Sequence, residues 1–211
     1  IVWGLLTISI VNDRTGQPIY FIAQLQDITR RKQAEAALHQ MAVRDDLTGV
    51  YNRREMSRLL KEETARAQRH ERPLSLIMLD VDSFKLVNDT YGHQAGDQAL
   101  RQLAAIVDSS VRTFDRVARY GGEEFAVIVP ETSQEDALLV AERIRAQVAE
   151  HRFVVTGTDE PEVRIPLTVS VGVSCSMAGD VTAERLLRAA DQALYQAKRA
   201  GRNRTEFADA A

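Results

Sequence analysis

Hydrophobic and polar positions follow one another along this chain with a changing period, and the changes divide it into segments. Ile1 to Ile10 and Ile19 to Gln26 are β-rich, and Asn12-Asp13-Arg14-Thr15-Gly16-Gln17-Pro18 between them is dense in turn formers, so the pair reads as a hairpin. Two strands alone are marginally stable in water, which makes this hairpin the expected end of a larger sheet. From Thr29 to about Val43 the period becomes helical, with Ala34, Leu38 and Met41 at i, i+4 and i+7 among polar residues. So narrow a stripe suits either a dimeric coiled coil or a solvated linker helix. Asp45 and Thr48 fit local capping, and Gly49 and Asn52 fit a turn before a long helix that runs to about His70. Leu74 to Leu79 is an unbroken apolar run ending in Asp80, the mark of a buried central strand.

Asp80 to Asp89 is polar. After Gly92 and Gly96, Asp97 to Val111 predicts an amphipathic helix with Leu100, Leu103, Ala104 and Val107 on one face. Val117 to Tyr120 and Phe125 to Val129 predict a second hairpin. Thr132 and Ser133 stand before Glu135 and Asp136 as two overlapping capping boxes, opening a helix that buries Ala137, Ala141, Ile144 and Val148. A β-rich stretch around Phe153 to Val155 leads into a loop with Gly157 and Pro161. Leu167 to Cys175 then alternates strictly, a period-2 strand with Cys175 on its apolar side as a structural thiol. Thr182 caps a last helix through Leu186, Leu187, Ala190, Leu194 and Ala197, which Gly201 stops. This order of elements predicts an α/β sandwich around a mixed sheet.

Composition narrows the function more than the fold. A formal net charge of -3 over 211 residues argues against non-specific nucleic-acid binding. One cysteine excludes an intrachain disulfide framework and fits a reducing compartment, and no apolar run approaches a membrane span. The chain starts at Ile1 rather than Met, so it reads as a piece of a longer protein whose upstream part could carry an anchor.

The chemistry gathers at Arg119-Tyr120-Gly121-Gly122-Glu123-Glu124-Phe125. Two glycines between strands allow a tight turn with positive φ and a close approach by phosphate. Adjacent carboxylates repel unless something cationic sits beside them. Asp80 also closes a strand, so Asp80, Glu123 and Glu124 would converge on one sheet edge if their strands are neighbours. Hard oxygen ligands beside a phosphate favour Mg²⁺ or Mn²⁺, and two such ions could act on one phosphoryl group. The plainer alternative is a set of solvated strand-end acids. His93 reads as a packing or hydrogen-bonding residue.

Gly121-Gly122-Glu123-Glu124-Phe125 carries a GG[D/E]EF signature, and the chain from about Asp45 to Phe207 resembles the GGDEF-domain diguanylate cyclases. Asp45-Asp46-Leu47-Thr48-Gly49-Val50-Tyr51-Asn52-Arg53-Arg54, Asp80-Val81-Asp82-x-Phe84-Lys85-x-x-Asn88-Asp89 and Tyr91-Gly92-His93-x-x-Gly96-Asp97 match three further family segments in order. Asp191-x-Ala193-Leu194-Tyr195-x-Ala197-Lys198-x-x-Gly201-Arg202-Asn203 matches the late helix. The resemblance implies a central, mixed, largely antiparallel five-stranded sheet flanked by helices, preceded here by a hairpin and a linker helix. It implies condensation of two GTP molecules to cyclic di-GMP, cytoplasmic, by a homodimer holding two Mg²⁺ or Mn²⁺ per site. Asp80, Glu123 and Glu124 would bind metal with the Val81 carbonyl, and Glu123 would help deprotonate the attacking 3′-hydroxyl. Asn88 and Asp97 would read guanine, since a carboxylate accepts from the N1-H and N2-H₂ donors that adenine lacks. An N-cap role for Asp97 is compatible with this.

Lys85, Lys198 and Arg202 match the triphosphate contacts, with Gly121, Gly122 and the amides near Phe84 and Lys85. The bland reading of Lys198 and Arg202 is favourable charge at a helix C-terminus. Arg112-Thr113-Phe114-Asp115 stands where the family has an R-x-x-D product-inhibition site, with Arg143 as an added contact. The segment Gln26-Asp27-Ile28-Thr29-Arg30-Arg31-Lys32 resembles the end of a PAS sensor domain, which divides the chain into 1–30, a linker helix over 31–44 and a cyclase domain over 45–211. Two alternatives stay in view: a silent domain that binds GTP or cyclic di-GMP as a receptor, and a PAS dimerisation module with a passive partner domain.

Overall fold

A computed structural model describes residues 2–156, 162–176 and 182–210, with the backbone alone for 35–39. The loop at Gly157 and Pro161 and the side chain of Leu38 lie outside the described residues. The chain divides into two compact units, Ile1–Ala42 and Val43–Ala211.

In the first unit, β1 (Gly4–Asn12) pairs antiparallel with β2 (Pro18–Asp27), in register from Gly4 opposite Asp27 to Val11 opposite Tyr20. Asp13 builds the turn. Its Oδ1 accepts from the Thr15 hydroxyl at 2.6 Å and from the Gln17 and Thr15 amides at 3.0 and 2.7 Å. These bonds hold its carboxyl below the usual range. Asp27 Oδ1 accepts from the Thr29 amide at 2.8 Å where α1 (Thr29–Val43) begins. Ile8, Ile10, Phe21 and Ile22 are exposed, so the hairpin shows apolar side chains on both faces.

The second unit opens with β3 (Tyr51–Asn52) and α2 (Arg53–His70), which Asn52 caps by accepting from the Glu55 amide at 3.0 Å. β4 (Leu74–Val81), α3 (Phe84–Tyr91), α4 (His93–Ser109), β5 (Arg116–Gly121) and β6 (Glu124–Pro130) follow. Then come α5 (Gln134–Glu150), β7 (Arg152–Thr156), β8 (Glu162–Pro166), β9 (Val169–Ser176), α6 (Ala183–Arg199) and β10 (Thr205–Asp209). The main sheet has the order β10-β9-β4-β6-β5-β3. Its four inner strands are antiparallel, and both edge strands pair parallel with their neighbours.

Among the described residues the sheet therefore has six strands rather than five. β3 is only two residues long, and β10 is a strand because it pairs with Val171–Cys175, not because its own sequence is strongly apolar. The stretch around Phe153 leaves the main sheet and forms a separate pair, β7 with β8. Two glutamines one turn apart on α4 cover the outer edge of β7. Gln102 exchanges hydrogen bonds with the Val154 backbone at 2.6 and 3.0 Å, and Gln98 does the same with Thr156 at 3.2 and 2.9 Å. They take the place of a neighbouring strand.

β4 is buried at every position because its alternating side chains serve two cores. Ile77, Leu79 and Val81 pack with Val127 and Val171 beneath α4 and α5; Leu74, Leu76 and Met78 pack with Ala126 and Ile128 beneath α2 and α6. Local details differ from the sequence expectation at three points. The second half of the polar segment Asp80 to Asp89 is helical, as α3. α4 begins at His93, so Asp97 lies inside the helix and caps nothing. Ser133 alone caps α5, accepting from the Asp136 amide at 3.2 Å, while the Thr132 hydroxyl donates to the Pro130 carbonyl. Among the described residues no helix is long and apolar enough to cross a membrane.

Gly172 sets how closely α6 lies on β9. A Cβ there would sit 2.2 Å from both the Ala190 carbonyl oxygen and the Leu194 amide nitrogen, which are backbone atoms. Gly172→Ala is expected to destabilise this unit by about 3 kcal/mol or more, read as a shift in the urea midpoint, because the helix must lift off the sheet. An unshifted midpoint would contradict that packing.

Candidate active site

Strand pairing brings the acidic residues together. Asp80 at the end of β4 lies directly opposite Glu124 at the start of β6, and the Val81 amide donates to the Glu123 carbonyl at 3.4 Å. Asp80, Glu123 and Glu124 thus share one end of the sheet. A register irregularity between Arg119 and Gly121 shapes the turn. Neither Gly121 nor Gly122 has a positive φ, against the expectation for this turn. Of the two, Gly121 has a neighbour that a side chain would crowd, the flexible end of Glu124. A Cβ on Gly121 would lie 3.0 Å from Glu124 Oε2, whereas nothing lies within 4 Å of one on Gly122. The surface over Gly122 is open to a ligand.

Asp80 is 8% exposed. Burial pushes its carboxyl above the usual range; the Lys198 ammonium opposes this, and the negative charges of Glu123 and Glu124 add to it. Lys198 Nζ reaches Asp80 Oδ2 at 2.8 Å from the last turn of α6. Sequence reasoning assigns Lys198 to phosphate and misses this pair, because nothing in the primary structure says that the end of α6 packs over the end of β4. The donors are hard oxygens with an excess of negative charge, the chemistry a divalent cation needs. As they stand, no three carboxylate or imidazole groups among the described residues close into a metal-sized cluster. Asp80 is engaged by Lys198 instead.

Arg119 holds the turn in place. Its Nε and Nη2 donate to the Gly122 carbonyl at 2.9 and 2.7 Å, and its Nη1 lies 3.3 Å from both carboxylate oxygens of Asp45. Asp45 in turn accepts from the Thr48 amide at 2.9 Å and the Thr48 hydroxyl at 2.6 Å. Burial works against its charge, but the Thr48 bonds and Arg119 outweigh it and hold the carboxyl below the usual range. The first motif of the domain is therefore fastened to the glycine turn by one guanidinium.

Gly96, next to Asp97 on α4, lies against the Asn88 and Phe84 side chains of α3. A Cβ on Gly96 would lie 2.0 Å from Asn88 Oδ1 and 3.1 Å from the Phe84 ring, so a glycine is what lets the two helices approach there. Asn88 is half-buried and Asp97 is exposed. Phe84 is buried and Lys85 exposed in the first turn of α3, which follows Ser83 at φ +55 and has no side-chain cap. Uncapped first-turn amides suit an anion. His93 is exposed at the start of α4, not packed. Cys175 is buried, and burial raises its thiol, as a structural thiol requires. Arg202 is exposed at φ +64 in the turn that ends α6.

The R-x-x-D segment lies at the opposite end of β5, roughly 17 Å along the strand from Gly121 at 3.3 Å per residue. The Arg112 amide donates to Asp115 Oδ2 at 2.8 Å, and the Asp115 amide donates to the Arg112 carbonyl at 3.0 Å. Asp115 is buried, and its Oδ1 has no hydrogen-bond partner among the described residues. Burial raises its carboxyl against the charges of Arg112, Arg116 and Arg143. Arg143 reaches the same loop from α5, donating to the Ser110 carbonyl at 2.6 and 3.1 Å.

Residues 42–204 match the family described as diguanylate cyclase, GGDEF domain. The response regulator PleD of Caulobacter vibrioides is 45% identical over 164 residues, 78% of this chain and 36% of PleD. Diguanylate cyclase DosC of Escherichia coli is 39% identical over 186 residues, 88% of this chain and 39% of DosC. The chain thus spans well under half the length of these relatives. The coiled coil and GGDEF domain of DgcB from Caulobacter crescentus, solved in complex with c-di-GMP, superposes with a TM-score of 0.79 at 31% identity, covering 86% of this chain and 93% of that one. The active GGEEF domain of a diguanylate cyclase from Vibrio cholerae gives a TM-score of 0.67 at 39% identity, covering 74% and 96%.

Loss of the Arg119 tether has a pH signature. The carboxyl of Asp45 is depressed in the fold, so its contribution is present above the unfolded value near 4 and is lost as pH falls through the folded value. Arg119→Ala is expected to lower stability by about 2 kcal/mol at pH 7, with the gap from wild type closing below about pH 4. A gap that does not depend on pH would show that the Asp45 pair contributes nothing and that Arg119 acts through its bonds to the Gly122 carbonyl and its packing.

Proposed function

Because this chain belongs to the GGDEF-domain diguanylate cyclase family, we propose that it condenses two GTP molecules into cyclic di-GMP with release of two pyrophosphates. The observation that carries the reading is Asp80, nearly buried opposite Glu124, its carboxyl raised by its surroundings and met by Lys198. A site that holds a carboxylate at this cost to its charge is built to receive cations and the phosphates they accompany.

Asp80, Glu123, Glu124 and the Val81 carbonyl would hold Mg²⁺ or Mn²⁺, two per site. When bound, these ions neutralise phosphate charge and lower the pKa of the attacking hydroxyl. Lys198 exchanges Asp80 for the triphosphate as the site fills. Lys85, Arg202 and the amides of Phe84 and Lys85 hold the remaining phosphate oxygens, and the open backbone of Gly121 and Gly122 lets them approach. Asn88 and Asp97 accept from and donate to the guanine edge, which selects GTP over ATP. Glu123 takes the proton of the ribose 3′-hydroxyl as that oxygen bonds to the α-phosphorus of the facing GTP, whose pyrophosphate leaves. Each domain holds one GTP, so two copies must face each other, and the second half of the reaction repeats the first with roles exchanged.

Arg112, Asp115 and Arg143 form the inhibitory product site. Asp115, one buried oxygen of which lacks a partner among the described residues, accepts from a guanine of cyclic di-GMP, and the arginines meet its phosphate and base. Residues 1–30 are the end of a PAS sensor, and 31–44 the helix that passes its state to a cytoplasmic cyclase domain over 45–211.

Asp80→Asn tests the reading with two readouts. Product from GTP and Mg²⁺ should fall by about 10³-fold, the scale of removing one preorganised charge contact. Independently, Mn²⁺ should raise the melting temperature of the wild-type chain and not that of Asp80→Asn, since only a bound ion stabilises by mass action. An active variant, or one that Mn²⁺ stabilises equally, would sink the metal assignment.

A further inference from the structure

Asp82 lies two residues beyond Asp80, and the chemistry above gives it nothing to do. Its half-buried carboxylate nevertheless accepts three hydrogen bonds. Oδ2 accepts from the Thr168 hydroxyl at 2.6 Å and from the Asn203 amide at 3.0 Å, and Oδ1 accepts from the Ser170 hydroxyl at 2.6 Å. Its own amide donates to the Thr168 carbonyl at 2.9 Å. Thr168 and Ser170 stand at the start of β9, so the carboxylate joins the end of β4, its neighbour β9 and the turn after α6.

That turn is unusual. Arg202 and Asn203 are consecutive non-glycine residues with φ +64 and +44, a conformation such residues keep only where their surroundings over-determine it. The surroundings do so from three directions. The Arg202 amide donates to the Ala197 carbonyl at 3.0 Å, which ties the turn back to α6. The Asn203 side-chain oxygen accepts from Arg145 Nη1 at 2.6 Å, and Arg145 is itself braced on Glu142 at 2.6 to 2.9 Å. The Asn203 amide, adjacent to Arg202, is the one held by Asp82.

We propose that Asp82 is a positioning residue for Arg202. With its hydroxyl donors it fixes the Asn203 amide, and so presets the backbone from which the Arg202 guanidinium reaches the triphosphate. The inference rests on the reading of Arg202 as a phosphate contact. It goes further in assigning the second acid of the Asp80-Val81-Asp82 segment to preorganisation rather than to metal. A carboxylate with three fixed donors on it has little left to offer an ion, whereas among the described residues the Asp80 carboxylate is met by Lys198 alone.

The test compares the 211-residue chain with Asp82→Asn, Ser170→Ala, Arg202→Ala and the double variant Asp82→Asn/Arg202→Ala. It measures affinity for a fluorescent GTP analogue with Mg²⁺, amide hydrogen exchange over 201–204, and melting temperature. Asp82→Asn should bind the analogue about tenfold more weakly, the worth of a hydrogen bond to a charged group, and the Asn203 amide should exchange faster. On the Arg202→Ala background Asp82→Asn should add nothing, because both remove the same contact. Ser170→Ala removes one hydroxyl donor and keeps the Asp82 charge, and should show a smaller loss in the same direction. Unchanged affinity in Asp82→Asn, or losses that add fully in the double variant, overturn the proposal. A drop in melting temperature with unchanged affinity also overturns it, by making Asp82 merely structural. A wild-type chain that binds no GTP overturns the site reading and this role with it. That case stands apart because Asn203 exchange would still respond to Asp82→Asn.

Discussion

The constraint on which this domain turns is a carboxylate placed where water can scarcely reach it. Asp80 ends a strand whose every residue is buried, and pairing with β6 sets it opposite Glu124. Removing a charge from water costs several kcal/mol unless opposite charge and hydrogen bonds replace the lost hydration. The fold supplies that charge from the far end of the sequence, by packing α6 so closely on Gly172 that Lys198 arrives at 2.8 Å. Close packing and site electrostatics are thus one problem here. Anything that lifts α6 removes the cation from Asp80, and anything that removes Asp80 leaves Lys198 without its partner.

The glycine turn is held in a similar way from the other side. Arg119 spans from the Gly122 carbonyl to Asp45, and Asp45 belongs to the loop that follows α1. Arg119 therefore ties the loop carrying Asp45 to the turn carrying two of the three acids. Asp82 does for the Arg202 turn what Arg119 does for the glycine turn. In both cases a charged side chain is spent on backbone atoms, giving these loops the rigidity they lack from strand pairing alone.

Much of this was legible in the sequence where hydrophobic period and burial coincide. α1 over Thr29–Val43, the apolar run of β4 and the alternation of β9 follow directly from spacing, and the acids at strand ends pointed to one edge of a sheet. What spacing could not reach is tertiary in origin. β10 and the two-residue β3 are strands only through their parallel partners. α4 starts at His93 because Gly92, at φ +84, ends α3 one residue earlier. The two glycines of the turn were expected to supply positive φ and do not; a Cβ on Gly121 would crowd the end of Glu124, and one on Gly122 would meet open space. The Lys198–Asp80, Arg119–Asp45 and Asp82–Asn203 contacts join residues 118, 74 and 121 positions apart, and no local pattern encodes them.

On the proposed reading each copy would carry one set of metal acids, one pair of guanine readers and one set of phosphate cations, so a single copy would hold half of what the condensation needs. The most direct test is the rate of cyclic di-GMP formation from saturating GTP and Mg²⁺ as the 211-residue chain is diluted. Two facing half-sites require the rate per chain to fall in proportion to concentration once dimers dissociate. A rate per chain that stays constant on dilution to monomers, or no cyclic di-GMP from a verified dimer, would contradict a site completed by a second copy.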